Sequence, residues 1–189
     1  MAPQIMLVRH GETEWSRDGR HTGDTDVPLT SNGRAQARRL GGMLDAESFS
    51  LVLTSPRRRA TDTCRLSGLS GAEPCEDLRE WEYGAYEGRT TAQIREEVKG
   101  WTVWTHPVPQ GETAAEVGRR ADKVIERVGE AGGRVALFSH GHLLRVLAAR
   151  WCGLEATEGR LLKLDTATLS VLGYERETRV IEMWNRRNP

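Results

Sequence analysis

Residues 5–13 read IMLVRHGET, four apolar residues followed at once by an arginine, a histidine and a glycine. A short uninterrupted apolar run of this kind is typical of a strand that is buried on both faces of a sheet. Two similar runs occur at residues 51–53 (LVL) and 135–138 (VALF). All three runs lead into polar or turn-forming residues, so the sequence predicts three buried strands whose ends carry chemical groups.

Segments with helical periodicity separate these strands. We predict helices over residues 30–44, 58–66, 113–131 and 143–151, because apolar residues recur in them at helical spacing. Residues 168–174 and 179–184 predict a C-terminal hairpin around a polar turn. Buried strands that alternate with helices favour one domain over residues 1–189, a three-layer α/β/α sandwich with a mostly parallel central sheet.

The composition excludes several classes of protein. Lys plus Arg and Asp plus Glu each total 27, so the formal net charge is zero and we predict neither a nucleic-acid nor a membrane partner. The three cysteines, Cys64, Cys75 and Cys152, form no CxxC pair and indicate free thiols. No apolar run approaches the ~20 residues of a membrane span, and the N-terminus does not resemble a signal peptide. We therefore expect a cytoplasmic protein with a small-molecule partner, and the hairpin offers an edge at which two copies can pair.

The polar residues at the strand ends predict a site. Arg9 and His10 follow the first apolar run, Arg57 follows the second, and His140 follows the third. In open α/β sheets, ligands bind just beyond the carboxyl ends of the strands. Since guanidinium groups match phosphate oxygens bidentately, this edge of the sheet is expected to bind a phosphate.

An imidazole among arginines suits phosphoryl transfer. It must be neutral to attack phosphorus, and neighbouring cations lower the pKa of a histidine. An alkoxide leaving group also needs a proton, which a carboxyl group usually supplies. Glu80 and Glu82 are the best candidates for this acid, and the residues alone leave the choice between them open.

Five segments together resemble the signature motifs of the histidine phosphatase superfamily, which is also called the phosphoglycerate mutase-like family. They are RHGET at 9–13, TG at 22–23 with DVPLT at 26–30, SPRRRA at 55–60 with Thr63, LRE at 78–80 with Gly84 and EG at 87–88, and SHG at 139–141. The motifs occur in the family's order and span nearly the whole chain. The resemblance implies the phosphoglycerate mutase-like fold and chemistry through a phosphohistidine.

The resemblance also implies a role for each matched residue. His10 is expected to become transiently phosphorylated, while Arg9, Arg59 and His140 hold the phosphoryl oxygens. The remaining phosphate or substrate contacts are expected at Ser16, Thr22, Gly23, Gly141 and His142.

For the acid, the resemblance selects one of the two candidates. Glu80 lies four residues before Gly84, as the family pattern requires, and Glu82 does not. Glu80 is therefore expected to protonate the leaving oxygen and then to take a proton from the water that hydrolyses phosphohistidine.

A metal site is an alternative interpretation of the segment that carries the second histidine. His140 and His142 form an HxH pair, but a metal would need further carboxylate or cysteine ligands, and no second ligand motif is recognisable. We therefore expect neither a metal nor an organic cofactor. His21 and His106 have no comparable context and are expected in the pocket wall or on the surface.

Departures from the family pattern favour hydrolysis over a mutase reaction. Mutases of the family usually carry asparagine at the position of Ser16, tryptophan at the position of Asp24, and a longer basic insertion after the acidic motif. Only residues 81–139 separate Glu80 from His140, too few for that insertion beside the predicted helix and strand.

The substrate class follows from a narrower resemblance. Residues 79–84, 101–104 and 140–142 are most similar to a subgroup with sedoheptulose bisphosphatase-like enzymes and broad-specificity acid phosphatases, which favours a sugar phosphate or bisphosphate. Trp101 and Trp104 lie where the family builds part of its substrate lid, with plain core packing as the alternative. Two other functions stay open: a phosphoglycerate mutase or phosphatase of a phosphoglycerate derivative, and an inactive regulatory or binding relative.

Overall fold

The predicted strands form the centre of one mixed sheet. The computed structural model describes residues 2–44 and 49–188. Within them the strands are β1 (Gln4–Arg9), β2 (Leu51–Thr54), β3 (Glu73–Pro74), β4 (Arg134–Ser139), β5 (Leu169–Glu175) and β6 (Thr178–Arg186). They lie in the order β3-β2-β4-β1-β5-β6. The pairs β3–β2, β2–β4 and β4–β1 are parallel, and β1–β5 and β5–β6 are antiparallel, so the prediction of a mostly parallel sheet is confirmed.

Helices connect and cover the strands. They are α1 (Glu14–Arg17), α2 (Ser31–Leu44), α3 (Arg58–Leu66), α4 (Thr91–Glu97), α5 (Ala114–Ala131) and α6 (Gly141–Trp151). Short 3₁₀ turns occur at Glu76–Leu78, Gly84–Tyr86 and Ala156–Leu161. The four predicted helices are present as α2, α3, α5 and α6. The sequence did not predict α1 and α4, because four and seven residues are too few to show a helical period.

Side chains of β1 point alternately into two hydrophobic cores. Ile5 and Leu7 belong to the core that includes the apolar faces of α5 and α6, and Met6 and Val8 belong to the core that includes those of α2 and α3. Strand β4 divides its side chains between the same two cores. The sheet is thus buried between two layers of helices, which confirms the three-layer sandwich.

The end of the chain forms the expected hairpin. Strands β5 and β6 pair from Leu169 to Glu175, and β6 lies at the edge of the sheet. None of the helices in the described residues is both long and apolar enough to cross a lipid bilayer.

The turn after β1 is braced by α2 through two glycines. A Cβ atom on Gly33 would lie 2.0 Å from the carbonyl oxygen of Glu12, and one on Gly11 would lie 2.4 Å from the carbonyl oxygen of Gly33. The amide of Thr30 donates to the same Glu12 carbonyl at 2.9 Å. Only glycine at both positions lets the helix approach the backbone that carries His10.

Substitution of Gly33 by alanine is therefore expected to lower both stability and activity. The new methyl group must push α2 away from the turn, and overpacking of this kind costs about 1–3 kcal/mol of the free energy of unfolding. Urea unfolding measures the change. The matched control is Gly129→Ala on the exposed side of α5, where a Cβ meets nothing within 4 Å; this change should stabilise the protein by about 0.5–1 kcal/mol. Equal effects from the two substitutions would contradict the bracing role of Gly33.

Candidate active site

The parallel strands β1, β4 and β2 bring their polar ends together. His10 follows β1 and His140 follows β4, and the centroids of the two rings are 5.2 Å apart in an edge-to-face arrangement. Ser55 follows β2, and its hydroxyl oxygen lies 2.7 Å from Nε2 of His140. The three strand ends thus form the floor of one site.

His10 is held as a neutral imidazole with one nitrogen free. Its Nδ1 lies 2.7 Å from the carbonyl oxygen of Gly11, and because a carbonyl only accepts, Nδ1 must carry the hydrogen. The lone pair is then on Nε2. Burial, followed by the charges of Arg59 and Arg9, holds the pKa of His10 well below the usual histidine value. His10 therefore has the tautomer and the protonation state that a nucleophile requires.

Arg9 places its guanidinium beside His10 in a cavity. Nη1 of Arg9 donates to the carbonyl oxygen of Leu164, whereas its buried Nε has no hydrogen-bond partner in residues 2–44 or 49–188. Gly141 makes room for this group, since a Cβ there would lie 3.2 Å from Cζ of Arg9. Arg9, His10 and Gly141 all line the same cavity of about 170 Å³. Arg9 can therefore donate to an anionic ligand next to the nucleophile.

Arg59 is the buried member of the run Arg57-Arg58-Arg59. Arg58 is exposed, and Arg57 forms an ion pair with Asp24. The guanidinium of Arg59 is fully buried. It donates to His140 Nδ1 at 3.1 Å and to the carbonyl oxygens of Thr22, Gly23 and Thr25 at 2.9–3.0 Å. Four of its five N–H groups are therefore bound inside the protein, and Arg59 lies beneath the cavity rather than in its lining.

His140 lies in the same buried layer. Since Arg59 donates to Nδ1, a neutral His140 carries its hydrogen on Nε2 and donates it to Ser55. Burial, with the charges of Arg59 and then His10, lowers the pKa of His140 well below the usual value. Both ring nitrogens thus have protein partners, and the ring packs against that of His10.

The structure places one of the two candidate acids in the cavity. Glu80 is 9% exposed and lines the cavity with His10. Its Oε1 accepts from the amides of Trp81 and Leu143 at 2.9 Å, and its Oε2 accepts from the amide of His142 at 3.0 Å. The carboxyl group is therefore oriented by the first turn of α6. Glu82 is exposed and outside the cavity lining.

The loop at residues 22–25 is held from two sides. The carboxylate of Glu87 accepts from the amides of Gly23 and Thr25 at 2.9–3.0 Å, while Arg59 binds carbonyl oxygens of the same loop. A Cβ on Gly23 would lie 2.7 Å from the carbonyl oxygen of Trp81, which explains the glycine. This loop closes one side of the cavity.

The remaining predicted contacts lie in different places. Ser16 and Thr22 line the cavity, although the hydroxyl of Ser16 also caps α1 through Thr13. His142 lines the cavity as well, whereas Gly23 lies behind it. His21 is found in the wall, with its ring 5.3 Å from that of Trp101.

The sequence profile of the histidine phosphatase superfamily (branch 1) matches residues 5–187 of the chain. The chain belongs to this superfamily.

Known relatives agree with this assignment. An acid phosphatase of Mycobacterium tuberculosis is 45% identical over 180 residues, which cover 93% of this chain and 89% of that protein. The sedoheptulose 1,7-bisphosphatase of Saccharomyces cerevisiae is 37% identical over 187 residues, with 82% and 69% covered. The solved structure of the open reading frame Rv3214 from Mycobacterium tuberculosis superposes with a TM-score of 0.93 at 41% identity and covers 98% of each chain.

Five lining residues of this histidine phosphatase were missed by the sequence analysis: Gly19, Arg20, Tyr83, Arg145 and Leu164. The guanidinium of Arg145 lies 4.6 Å above the ring of Trp104. Tyr83 lies within the acidic motif and Arg145 lies one helical turn beyond His142. Helical spacing from the second-histidine motif could have indicated Arg145, whereas nothing in the sequence distinguishes Tyr83 or Arg20 as wall residues.

The nitrogens of the HxH pair serve different partners in this superfamily member. His140 uses both nitrogens for Arg59 and Ser55, and Nδ1 of His142 is hydrogen-bonded to Tyr83. Within residues 2–44 and 49–188, no cluster of three or more His, Cys, Asp or Glu side chains has the arrangement of a metal site. In this arrangement His140 belongs to the floor of the site and His142 belongs to the cavity wall.

His10 of this phosphatase is expected to stay unprotonated in mildly acidic solution. Its lowered pKa means that the ring should take up no proton between about pH 7.5 and about pH 5.5, and NMR of the histidine rings measures this. His140 and His142 have pKa values shifted in the same direction, and that of His21 is lowered to about 4. The unfolded chain takes up protons near pH 6.5 that the folded chain excludes, so stability should fall as the pH drops below about 6.5. Titration of folded His10 near the value found in urea would contradict the buried, neutral nucleophile.

Proposed function

We propose that the protein is a phosphomonoester hydrolase that acts through a phosphohistidine at His10 on a small phosphorylated metabolite. The observation that carries the proposal is the free Nε2 of His10, which shares a cavity with the guanidinium of Arg9 and the carboxyl group of Glu80. A nucleophile, a cationic donor and a carboxyl group are the three parts that metal-free phosphoryl transfer from an ester requires.

In the first step, Nε2 of His10 attacks phosphorus while the bond to the ester oxygen breaks. Arg9 donates to the phosphoryl oxygens, where negative charge is spread in the transition state. Arg59 and His140 act from beneath by keeping His10 neutral and in place. Glu80 gives its proton to the departing oxygen, so that an alcohol leaves and phosphohistidine remains.

In the second step, a water oxygen attacks phosphorus and the bond to Nε2 breaks. Glu80, now a carboxylate, takes a proton from this water, and inorganic phosphate is released. The lone pair returns to Nε2 of His10, whose hydrogen on Nδ1 stays with the carbonyl of Gly11 throughout. The cycle therefore restores every group without an added cofactor.

A sugar phosphate or sugar bisphosphate is the proposed substrate. The cavity of about 170 Å³ suits a small molecule, and the relatives include a sedoheptulose 1,7-bisphosphatase. Beyond His10 the wall carries two further cations, Arg20 and Arg145. Nε and Nη2 of Arg145 donate to the carbonyl oxygens of Gly159 and Arg160, which leaves Nη1 to face a second anionic group of a bisphosphate.

Hydrolysis is favoured over a mutase reaction or action on a phosphoglycerate derivative. Retention of a phosphoglycerate during phosphoryl return needs basic groups in the lid, but no residue of the fully described segment 90–111 lines the cavity. In that segment, Arg95 donates to the carbonyl of Trp101, and Glu97 pairs with Arg89. Trp101 is buried, so it serves as packing behind the wall. Water therefore has access to the phosphohistidine.

An inactive regulatory relative is disfavoured because the nucleophile, its cationic neighbour and the acid occupy one cavity. The three cysteines are free thiols, which favours the cytoplasm. The edge strand β6 is the proposed surface for a homodimer.

Replacement of His10 by alanine should abolish release of phosphate from sugar phosphates and from p-nitrophenyl phosphate. Because the phosphoryl group is proposed to pass through His10, the expected loss is complete within detection. Rapid quench with labelled substrate, followed by phosphate analysis under alkaline conditions, should find the label on His10 of the wild-type protein.

The same assay should be run after exhaustive chelation and with 3-phosphoglycerate. Activity is expected to survive chelation, because arginines replace the cation that other phosphoryl-transfer enzymes use. Abolition by chelation and recovery with a divalent ion would establish the metallohydrolase instead. Conversion of 3-phosphoglycerate to its isomer faster than phosphate is released would establish the mutase.

Glu80→Gln should affect poor leaving groups selectively. A sugar alkoxide needs a proton whereas p-nitrophenolate does not, so phosphorylation of His10 by a sugar phosphate should slow by ~10²-fold or more. The same step with p-nitrophenyl phosphate should slow much less, and single-turnover kinetics measure both. Glu82→Gln is the matched control at an exposed carboxylate outside the cavity. Equal losses for the two substrates would refute the acid role of Glu80.

A further inference from the structure

A hydrogen bond between Tyr83 and His142 lies in the cavity wall and is not used by the steps above. The phenol oxygen of Tyr83 lies 2.5 Å from Nδ1 of His142, and both residues line the cavity that contains His10. Tyr83 is 2% exposed, so its phenol cannot rely on solvent for a second partner.

Which of the two atoms donates in this hydrogen bond follows from the hydrogen that would otherwise be left unpaired. If Nδ1 donated, the buried phenol hydrogen of Tyr83 would need an acceptor, and His142 Nδ1 is its one hydrogen-bond partner in residues 2–44 and 49–188. A buried donor without an acceptor is costly. If the phenol donates, no hydrogen is left unpaired. Burial also raises the pKa of Tyr83 well above its usual value, so the phenol keeps its hydrogen.

The other nitrogen of His142 then presents a hydrogen to the cavity. With Nδ1 accepting from Tyr83, a neutral imidazole carries its hydrogen on Nε2. This atom has no acceptor within residues 2–44 and 49–188, and it is not among the polar atoms enclosed by protein. Burial, followed by the charges of Arg145, His21 and Arg9, lowers the pKa of His142 well below the usual value. The donor is therefore neutral.

The ring of His142 lies among aromatic side chains, which suit the carbon skeleton of a substrate. The ring of His142 lies 5.1 Å from that of Trp104 and 6.1 Å from that of His21, so aromatic faces surround it. Its backbone amide binds Oε2 of Glu80. The imidazole thus lies in the same helical turn that orients the acid, next to where the ester oxygen must lie.

We propose that Tyr83 fixes His142 in the Nε2–H tautomer and that His142 donates this hydrogen to a hydroxyl oxygen close to the ester carbon of the substrate. Tyr83 is then a positioning residue and His142 a specificity-determining residue that favours polyol and sugar phosphates over phosphates of plain alcohols. This inference rests on the proposed phosphatase function and deepens it.

The tautomer can be measured without any substrate. Nitrogen-15 NMR of the histidine rings should find His142 with its hydrogen on Nε2 in the wild-type protein, and a mixture of both tautomers in Tyr83→Phe. The matched control is Tyr174→Phe, which removes a phenol from a ring that packs on Trp151 outside the cavity lining. A hydrogen on Nδ1 in the wild-type protein, or no change in Tyr83→Phe, would overturn the positioning role.

Recognition is tested with glycerol 3-phosphate and propyl phosphate, which share an alkyl leaving group and differ in hydroxyl groups. In His142→Met, kcat/KM for glycerol 3-phosphate divided by kcat/KM for propyl phosphate should fall about fivefold, which is the effect of one neutral hydrogen bond. His142→Gln, whose amide can donate from near the Nε2 position, should restore most of the ratio.

The outcomes separate this inference from the proposed function. An unchanged ratio in His142→Met, or failure of glutamine to restore it, overturns the recognition role while hydrolysis by the wild-type protein stands. Absence of turnover by the wild-type protein on both esters and on p-nitrophenyl phosphate overturns the proposed function, and the recognition role with it.

Discussion

The active site depends on one buried cation, the guanidinium of Arg59. It has lost its water entirely, and a buried charge must recover its hydrogen bonds inside the protein. It does so through the carbonyl oxygens of Thr22, Gly23 and Thr25 and through Nδ1 of His140. The loop at one side of the cavity and the histidine beneath it are therefore held by the same group. Without this guanidinium, the carbonyl oxygens of Thr22 and Gly23 and the Nδ1 atom of His140 would lose the donor that binds them.

Arginines also determine the electrostatics of the cavity. Within the described part of the chain, Glu80 is the one carboxylate among the lining residues, against the arginines Arg9, Arg20 and Arg145. The cationic surroundings and the burial both favour a neutral imidazole, because each opposes a second positive charge. They also favour a phosphate dianion, which brings the negative charge that the cavity lacks. The same positive surroundings thus favour both the neutral form of His10 and the binding of an anionic group.

The sequence predicts the floor of this site well and its wall poorly. The floor follows from apolar runs, because buried strands are recognisable from composition and their ends must meet in a parallel sheet. The choice of Glu80 over Glu82 needed the family pattern, since the amides that hold Glu80 come from α6, far along the chain. Helical spacing from His142 could have indicated Arg145, whereas Tyr83 could not be assigned to the wall because the direction of its side chain depends on how a loop packs.

Floor and wall have separate origins in the chain. The turns after β1, β2 and β4 supply the floor, whereas Tyr83 belongs to the irregular segment that also carries Glu80, and Arg145 belongs to a partly exposed side of α6. A substitution in these later segments changes the shape and polarity of the cavity without moving a strand end. The polarity of the wall can therefore change at Tyr83 or Arg145 while the turns that carry His10 and His140 stay as they are.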